Sequence, residues 1–325
     1  MSFYSVFINS QYQLRSGWRI LIYIKLYILL TAPMIAFSQI VLHVLDVRGR
    51  ILEAITIGLS AFGGWLAALI LLKYLDKRPM QSLGLGMHPT AWRELIWGLL
   101  IGFGLLSMTV GLPWVLGWIE IKMNPELSAE YLMYGFFLNV LVFIMVAFNE
   151  EILFRGYIFQ AFAEGTNRWI ALIVLSSLFG LAHAGNPNAS LFPIINIILA
   201  GVLLSLAYLQ TRSLWMPVGI HLTWNFSEGY LYGLPVSGTS VYKPLTESRM
   251  LDMDWITGGS FGPEGGAACT IMCIFACAIV WYFFKPSQAM QTIITEAQHI
   301  QPFAPAVTAI PKSAEASVPP IPPSK

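Results

Sequence analysis

Charge is scarce in this chain. Asp, Glu, Lys and Arg make up 11% of its 325 residues and hydrophobic residues 56%, whereas an ordinary soluble domain carries about 25% charged residues. The shortage excludes a conventional water-solvated surface and points to lipid. The formal net charge is +1, with no basic patch of the kind a nucleic acid needs, so no nucleic-acid partner is expected. Cysteine is rare as well: Cys269, Cys273 and Cys277 are the only three. They recur every four residues and share one face of a late helix. No His or carboxylate stands among them, so they read as small residues at a helix–helix seam. The first 17 residues lack a short apolar core ending in a small-residue cleavage site, and the first apolar span is expected to direct insertion itself.

What the chain does have is apolar runs of the length that crosses hydrocarbon, about 18 residues or more. Eight are read, at residues 19–45, 51–74, 93–118, 134–163, 168–186, 190–209, 214–232 and 267–284. The expected fold class is all-α: a polytopic membrane helical bundle of about eight transmembrane helices. The first and fourth spans are long enough to tilt, kink or protrude, with Pro33 as a kink site. The organisation is then a cytoplasmic N-terminal segment (1–18), a transmembrane helical domain (19–284) and a C-terminal segment (285–325). Within the domain the core lies at about 134–232. The Gly-, Pro- and Ser-rich stretch 233–266 reads as a long external loop. The Pro/Ala/Ser-rich end of the C-terminal segment should be disordered. With eight spans both termini share a side, and that side carries twelve Lys and Arg. The other carries five (Arg48, Arg50, Lys122, Lys243 and Arg249), with Lys25 inside the first span. The bias places both termini in the cytoplasm.

Ionisable side chains inside a span cost about 2.5–3.5 kcal/mol each on insertion scales and mark functional sites. The fourth span contains Glu150, Glu151 and Arg155. Glu151 and Arg155, at i and i+4, share a face and can pair; Glu150 is rotated about 100° away and has no such cation. An ion pair that merely holds helices together would account for Glu151 and Arg155 but not for Glu150. His183 lies near the end of the fifth span, one turn after Phe179, and the seventh span carries His221 and Asn225 at i and i+4. Each alone could be a structural histidine or interhelical hydrogen-bonding glue.

Depth ties them together. Measured from the turn near Gly165, Glu150 and His183 fall about 23 and 26 Å along adjacent antiparallel helices at 1.5 Å per residue. His221 and Asn225 lie about 14 and 20 Å from the turn at Arg212. A carboxylate, two imidazoles and an amide converging within a bundle form a hydrolytic constellation. The chain lacks the His-Glu-x-x-His of a zincin. Its four Asp residues (Asp46, Asp76, Asp252 and Asp254) all lie in loops, which excludes an intramembrane aspartyl pair. Gly258 to Gly262 spells Gly-x-Ser-x-Gly around Ser260, but in a Gly-rich loop and not between a strand and a helix, as a nucleophile elbow requires.

The order Glu-Glu-x-x-x-Arg (Glu150, Glu151, Arg155), Phe-x-x-x-His (Phe179, His183) and His-x-x-x-Asn (His221, Asn225) resembles the CPBP family of intramembrane proteases. That family includes the type II CAAX prenyl endopeptidases and bacterial bacteriocin-processing and immunity proteins. The resemblance covers residues 135–230, with weaker echoes in LRSGWR, SLGL and TGGSFGPEGG. It implies peptide-bond hydrolysis by water activated by Glu150 and His183, with His221 and Asn225 stabilising the oxyanion and Glu151, Arg155 and Phe179 in support. It implies a peptide or membrane-protein substrate met in the lipid bilayer, and for a bacterial member the plasma membrane. It makes no cofactor certain. Members are often called metalloproteases, and a zinc ion here would have Glu150, His183 and His221 as ligands, Asn being a poor one. The alternative from another class is a non-proteolytic scaffold or immunity protein that keeps the fold to bind a partner.

Overall fold

The structure is a computed structural model that describes residues 6–10, 12–47, 49–286 and 291–292. The expectation of a disordered C-terminal end falls outside these residues. The chain runs through α1 (Ser16–Val44), α2 (Arg50–Ile70, continued by a π-helical turn, Leu71–Asp76), α3 (Ala91–Val115) and strand β1 (Ile119–Met123). Then come α4 (Ala129–Arg155), α5 (Tyr157–Gly165), α6 (Arg168–Ala182) and α7 (Leu191–Thr211). The last elements are α8 (Trp215–Phe226, continued by a π-helical turn, Ser227–Leu231), β2 (Thr246–Met250), α9 (Asp254–Thr257) and α10 (Ala267–Phe283).

This is an all-α polytopic membrane bundle. Among the described residues five helices are long and apolar enough to cross a membrane: Ser16–Val44, Arg50–Asp76, Ala91–Val115, Ala129–Gly165 and Leu191–Thr211. The spans expected at 168–186, 214–232 and 267–284 are shorter α-helices. The first ends with His183 as its C-cap, and the second passes into a π turn at Ser227. Large apolar side chains such as Leu29, Phe37, Ile271 and Phe283 point outward from α1 and α10, as suits a lipid-facing surface. The long fourth span is broken at Gly156, between α4 and α5. Helix α1, by contrast, runs through Pro33 without interruption.

Two contacts position the bundle's interior. Helices α3 and α8 meet through glycine. A Cβ on Gly98 would lie 2.4 Å from the Met216 carbonyl oxygen, and one on Gly102 2.3 Å from that of Ile220. Only the missing side chains let the two backbones approach so closely, and that approach fixes the helix that carries His221. Elsewhere, Arg19 of α1 bonds Asp76 (2.8 Å), and Arg19 and Arg78 both reach Glu164. Tyr157 donates to Asp76 at 2.9 Å. This ionic cluster fastens α1, the end of α2 and α5 together.

The stretch 233–266, expected as a plain external loop, is organised. β2 pairs antiparallel with β1, Ile121 opposite Ser248. Beyond it the chain winds into a glycine knot in which Gly258, Gly259 and Gly262 all have positive φ. A Cβ on Gly258 would sit 1.8 Å from the Gly262 carbonyl oxygen, so the knot closes only with glycine. Alternating apolar residues flag a strand. IEIKM does alternate apolar and polar residues, but its partner TESRM has only one apolar residue and carries no such signal, and the ribbon was not expected.

Candidate active site

The charged run at the end of α4 faces inward. Glu151 and Arg155 are completely buried and pair at 3.1 Å (Arg155 Nη1 to Glu151 Oε1), as the i, i+4 spacing predicts. The remaining guanidinium donors go to α7, where Nε donates to Ser205 Oγ (3.3 Å) and Nη2 to the Gly201 carbonyl (3.0 Å). Neither partner was foreseen, because nothing in an apolar helix marks which serine or backbone oxygen will face an arginine fifty residues away.

The same Glu151 Oε1 lies 2.9 Å from His221 Nδ1. An ionised carboxylate only accepts, so Nδ1 carries the proton and Nε2 is turned toward Glu150, whose Oε2 is 3.8 Å away. Glu150 Oε2 is buried and has no hydrogen-bond partner among the described residues. His183 is oriented in the same manner from α6: its Nδ1 lies 2.8 Å from the Phe179 carbonyl, which can only accept, leaving Nε2 as the lone-pair nitrogen. Phe179 is the hub of the site. The Arg155 guanidinium lies 4.4 Å from its ring centroid, and the rings of His183 and His221 pack on it at 5.0 and 6.2 Å. A phenylalanine one turn before the histidine thus stacks the cation on one side and the two imidazoles on others. Asn225, one turn beyond His221, is buried.

Glu150, His183, His221 and Asn225 line one cavity of about 190 Å³, with Phe179 in its wall. Glu151 and Arg155 stand behind it. All seven residues singled out from the sequence are therefore gathered at one place, four at the cavity surface as polar groups and three as their support. Arg50 and Glu53, paired at 2.8 Å, also line the cavity.

Sequence reasoning missed two carboxylates of the cavity wall, Glu53 and Glu264. Glu264, in the 3₁₀ turn Pro263–Gly265 of the glycine knot, lines the same cavity. Ser237 Oγ donates to its Oε2, and the Ser237 carbonyl accepts from Asn186 Nδ2 (2.9 Å). Asn196 of α7 holds the turn from behind, donating to the carbonyls of Glu264 (2.8 Å) and Gly266 (2.9 Å). Burial pushes the Glu264 carboxyl above its ordinary range, opposed by the Ser237 hydrogen bond and by the nearby His183 and His221 imidazoles. The one signal in the sequence was the segment TGGSFGPEGG, whose single acid sits between proline and glycine.

The fit to a metal ion can be tested on the donors. Among the described residues no group of three or more His, Cys, Asp or Glu side chains converges as a metal ion requires. Glu150, His183 and His221 share a cavity without forming such a set. The metalloprotease expectation thus lacks a ligand cluster among the described residues.

Comparison with known proteins agrees with the motifs. Residues 132–227 match the family model for the type II CAAX prenyl endopeptidase Rce1-like proteins. The "Uncharacterized protein YyaK" of Bacillus subtilis is 24% identical over 242 residues, which is 70% of this chain and 74% of that protein. The "Putative membrane peptidase YdiL" of the same organism is 24% identical over 210 residues, 63% of this chain and 81% of that protein. A 24.3 kDa protein of Escherichia coli is 31% identical over 83 residues, 25% of this chain and 37% of that protein. No solved structure gives a significant match. Over residues 132–227, which contain Glu150, Glu151, Arg155, Phe179, His183, His221 and Asn225, the chain bears the likeness of the type II CAAX prenyl endopeptidase Rce1-like family.

Proposed function

We propose that this chain is an intramembrane endopeptidase that hydrolyses a peptide bond of a membrane-associated or peptide substrate with water activated by Glu150 and His183. The observation that carries the reading is the convergence of Glu150, His183, His221 and Asn225 on one cavity, inside a segment with the likeness of a membrane peptidase family. Glu150 is the base, since its Oε2 has no hydrogen-bond partner among the described residues and only the more distant His221 Nε2 opposite it, whereas Glu151 is committed to Arg155 and His221. His183 offers Nε2 as a second proton acceptor. Water loses its proton to this pair as its oxygen attacks the carbonyl carbon, and the same proton passes to the amine when the C–N bond breaks.

The oxyanion is met by His221 Nε2 and the Asn225 amide. With Nδ1–H committed to Glu151, His221 donates from Nε2 only as the imidazolium. The charge count favours that form: two carboxylates (Glu150, Glu151) face one guanidinium (Arg155), and a protonated His221 brings the group to neutrality. Donors preset for the developing charge are worth about 10²–10³ in rate each.

The test is Glu150→Gln. Peptide termini generated in membranes of cells carrying the wild type should disappear in the variant, and the purified variant should unfold in detergent at the wild-type temperature. Termini that persist would show that the fold serves binding without cleavage, as in a scaffold or immunity protein. The twelve-to-five distribution of Lys and Arg supports both termini in the cytoplasm, and the family likeness supports the plasma membrane of a bacterial cell.

A further inference from the structure

The charges at the cavity do not balance once each is given its partner. Glu53 has Arg50 at 2.8 Å. Glu150 has His221 Nε2 at 3.8 Å, and Glu151, behind the wall, has Arg155 at 3.1 Å. Glu264 has no Lys or Arg within ion-pair distance among the described residues; its side-chain hydrogen-bond partner is the neutral hydroxyl of Ser237, and the only basic groups near it are the imidazoles of His183 and His221, of which His221 is already engaged with Glu150 and Glu151. Behind it lies a second acid, Glu228, completely buried on the π turn after α8. Trp224 Nε1 donates to Glu228 Oε2 (3.1 Å), while Oε1 has no partner among the described residues. That oxygen packs against Gly262 of the knot, 3.1 Å from where a Cβ would stand. Two carboxyls backed on one another leave this side of the cavity acidic and, among the described residues, without a Lys or Arg of its own.

The knot presents that one side chain to the cavity. Its positive-φ glycines, the two hydrogen bonds from Asn196 and the bond from Gly238 N to the Phe261 carbonyl (2.7 Å) hold a three-residue turn against the cavity. Glu264 is the only residue of that turn at the cavity surface. A loop whose sole task was to close the cavity would not place a carboxyl there, since burying an acid without a cation is costly. The neighbouring wall carries Phe179 and Trp224, flat apolar surface of the kind that accepts the aliphatic stem of a long cationic side chain.

We propose that Glu264 is a specificity-determining residue, the seat for a lysine or arginine side chain of the peptide substrate close to the bond that is cut; this rests on the endopeptidase reading above. The incoming cation forms a charge-assisted hydrogen bond with the Glu264 oxygen not held by Ser237 and keeps the carboxyl ionised against burial. Arg50 cannot take the seat, being held by Glu53 and by the Ser240 carbonyl.

Full-length protein in detergent would be given internally quenched peptides identical except for one flanking position, carrying Lys, Arg, Gln, Leu or Glu. The wild type should prefer the basic peptides at one position. In Glu264→Gln the ratio of kcat/KM for basic over neutral peptides should fall about tenfold or more, Glu264→Asp should restore much of it, and Glu264→Lys should turn the preference toward Glu. An unchanged ratio, or a loss of activity shared equally by all peptides, would overturn the assignment. Anisotropy of fluorescent Lys and Gln peptides on Glu150→Gln, with and without Glu264→Gln, reads the same selectivity with no cleavage needed. A Lys preference that depends on Glu264 in that assay supports the seat even where Glu150 proves irrelevant to turnover, whereas equal binding of both peptides removes it.

Discussion

Glu151 Oε1 sits 2.9 Å from His221 Nδ1 and 3.1 Å from Arg155 Nη1, so one carboxylate oxygen both neutralises a buried guanidinium and sets the tautomer of an imidazole on another helix. Removing one member of such a pair strands a charge in a low-dielectric interior and costs about 3–5 kcal/mol. Glu151→Gln and Arg155→Ala are therefore expected to lower the thermal unfolding midpoint and the yield of folded protein, whereas Glu150→Gln leaves both near wild type. Unfolding in detergent, followed by intrinsic fluorescence, checks the contrast. A Glu151→Gln protein as stable as wild type would show that the pair is dispensable to the fold.

The glycine seam between α3 and α8 yields a matched pair of substitutions. Gly102→Ala places a Cβ 2.3 Å from the Ile220 carbonyl oxygen and 2.4 Å from Thr223 Oγ1, beside His221. The helices must separate, at a cost of about 1–3 kcal/mol, and the imidazole moves with α8. Gly104→Ala, on the same helix with nothing within 4 Å, should be neutral or stabilise by about 0.4–1 kcal/mol. Unfolding midpoints of the two variants, with peptide cleavage as the second readout, should diverge; equal midpoints would mean that the seam yields without strain.

Much of the site was legible in the sequence because a bilayer makes ionisable residues conspicuous. Glu150, Glu151, Arg155, His221 and Asn225 stand out in apolar runs, and the i, i+4 spacing of Glu151 and Arg155 gives their pairing directly. Glu264 was invisible for the opposite reason. An acid in a Gly-rich loop looks solvated, and its true setting depends on Asn196, 68 positions away, and Ser237, 27 away. The ribbon of β1 and β2 was lost in the same way, its two short strands being paired across more than a hundred residues. Helix number was harder than helix existence. Apolar composition marks α6, α8 and α10, but their ends are set by His183 as a cap and by the π turn at Ser227, neither of which hydropathy registers.

Topology can be tested apart from chemistry. Reporter fusions after Pro286 and near Gly238 are expected to read cytoplasmic and external respectively, since the side assigned to the termini carries eleven Lys and Arg against five once the buried Arg155 is set aside. Both fusions on one side, or the reverse pattern, would require another number or direction of spans.

His221 and Asn225 share a helix face and the same cavity, yet they should fail differently. Asn225 is buried and no described residue hydrogen-bonds its amide, so Asn225→Ala removes a donor that the fold does not use. Its unfolding midpoint should stay close to wild type while kcat falls about 10²–10³-fold, the usual worth of one oxyanion donor. His221 is different, because its Nδ1 is one of two cationic or proton-bearing partners of Glu151 Oε1. His221→Ala leaves Glu150 and Glu151 facing Arg155 alone and opens space against Phe179, whose ring packs on the imidazole at 6.2 Å. Stability and turnover should drop together. His221→Gln, which can still donate to Glu151, should recover part of the stability and little of the rate. Midpoints and single-turnover rates measured on the three variants decide it: an Asn225→Ala protein as unstable as His221→Ala would place the amide in the scaffold, and a His221→Gln protein with near wild-type rate would remove the imidazolium from the reaction.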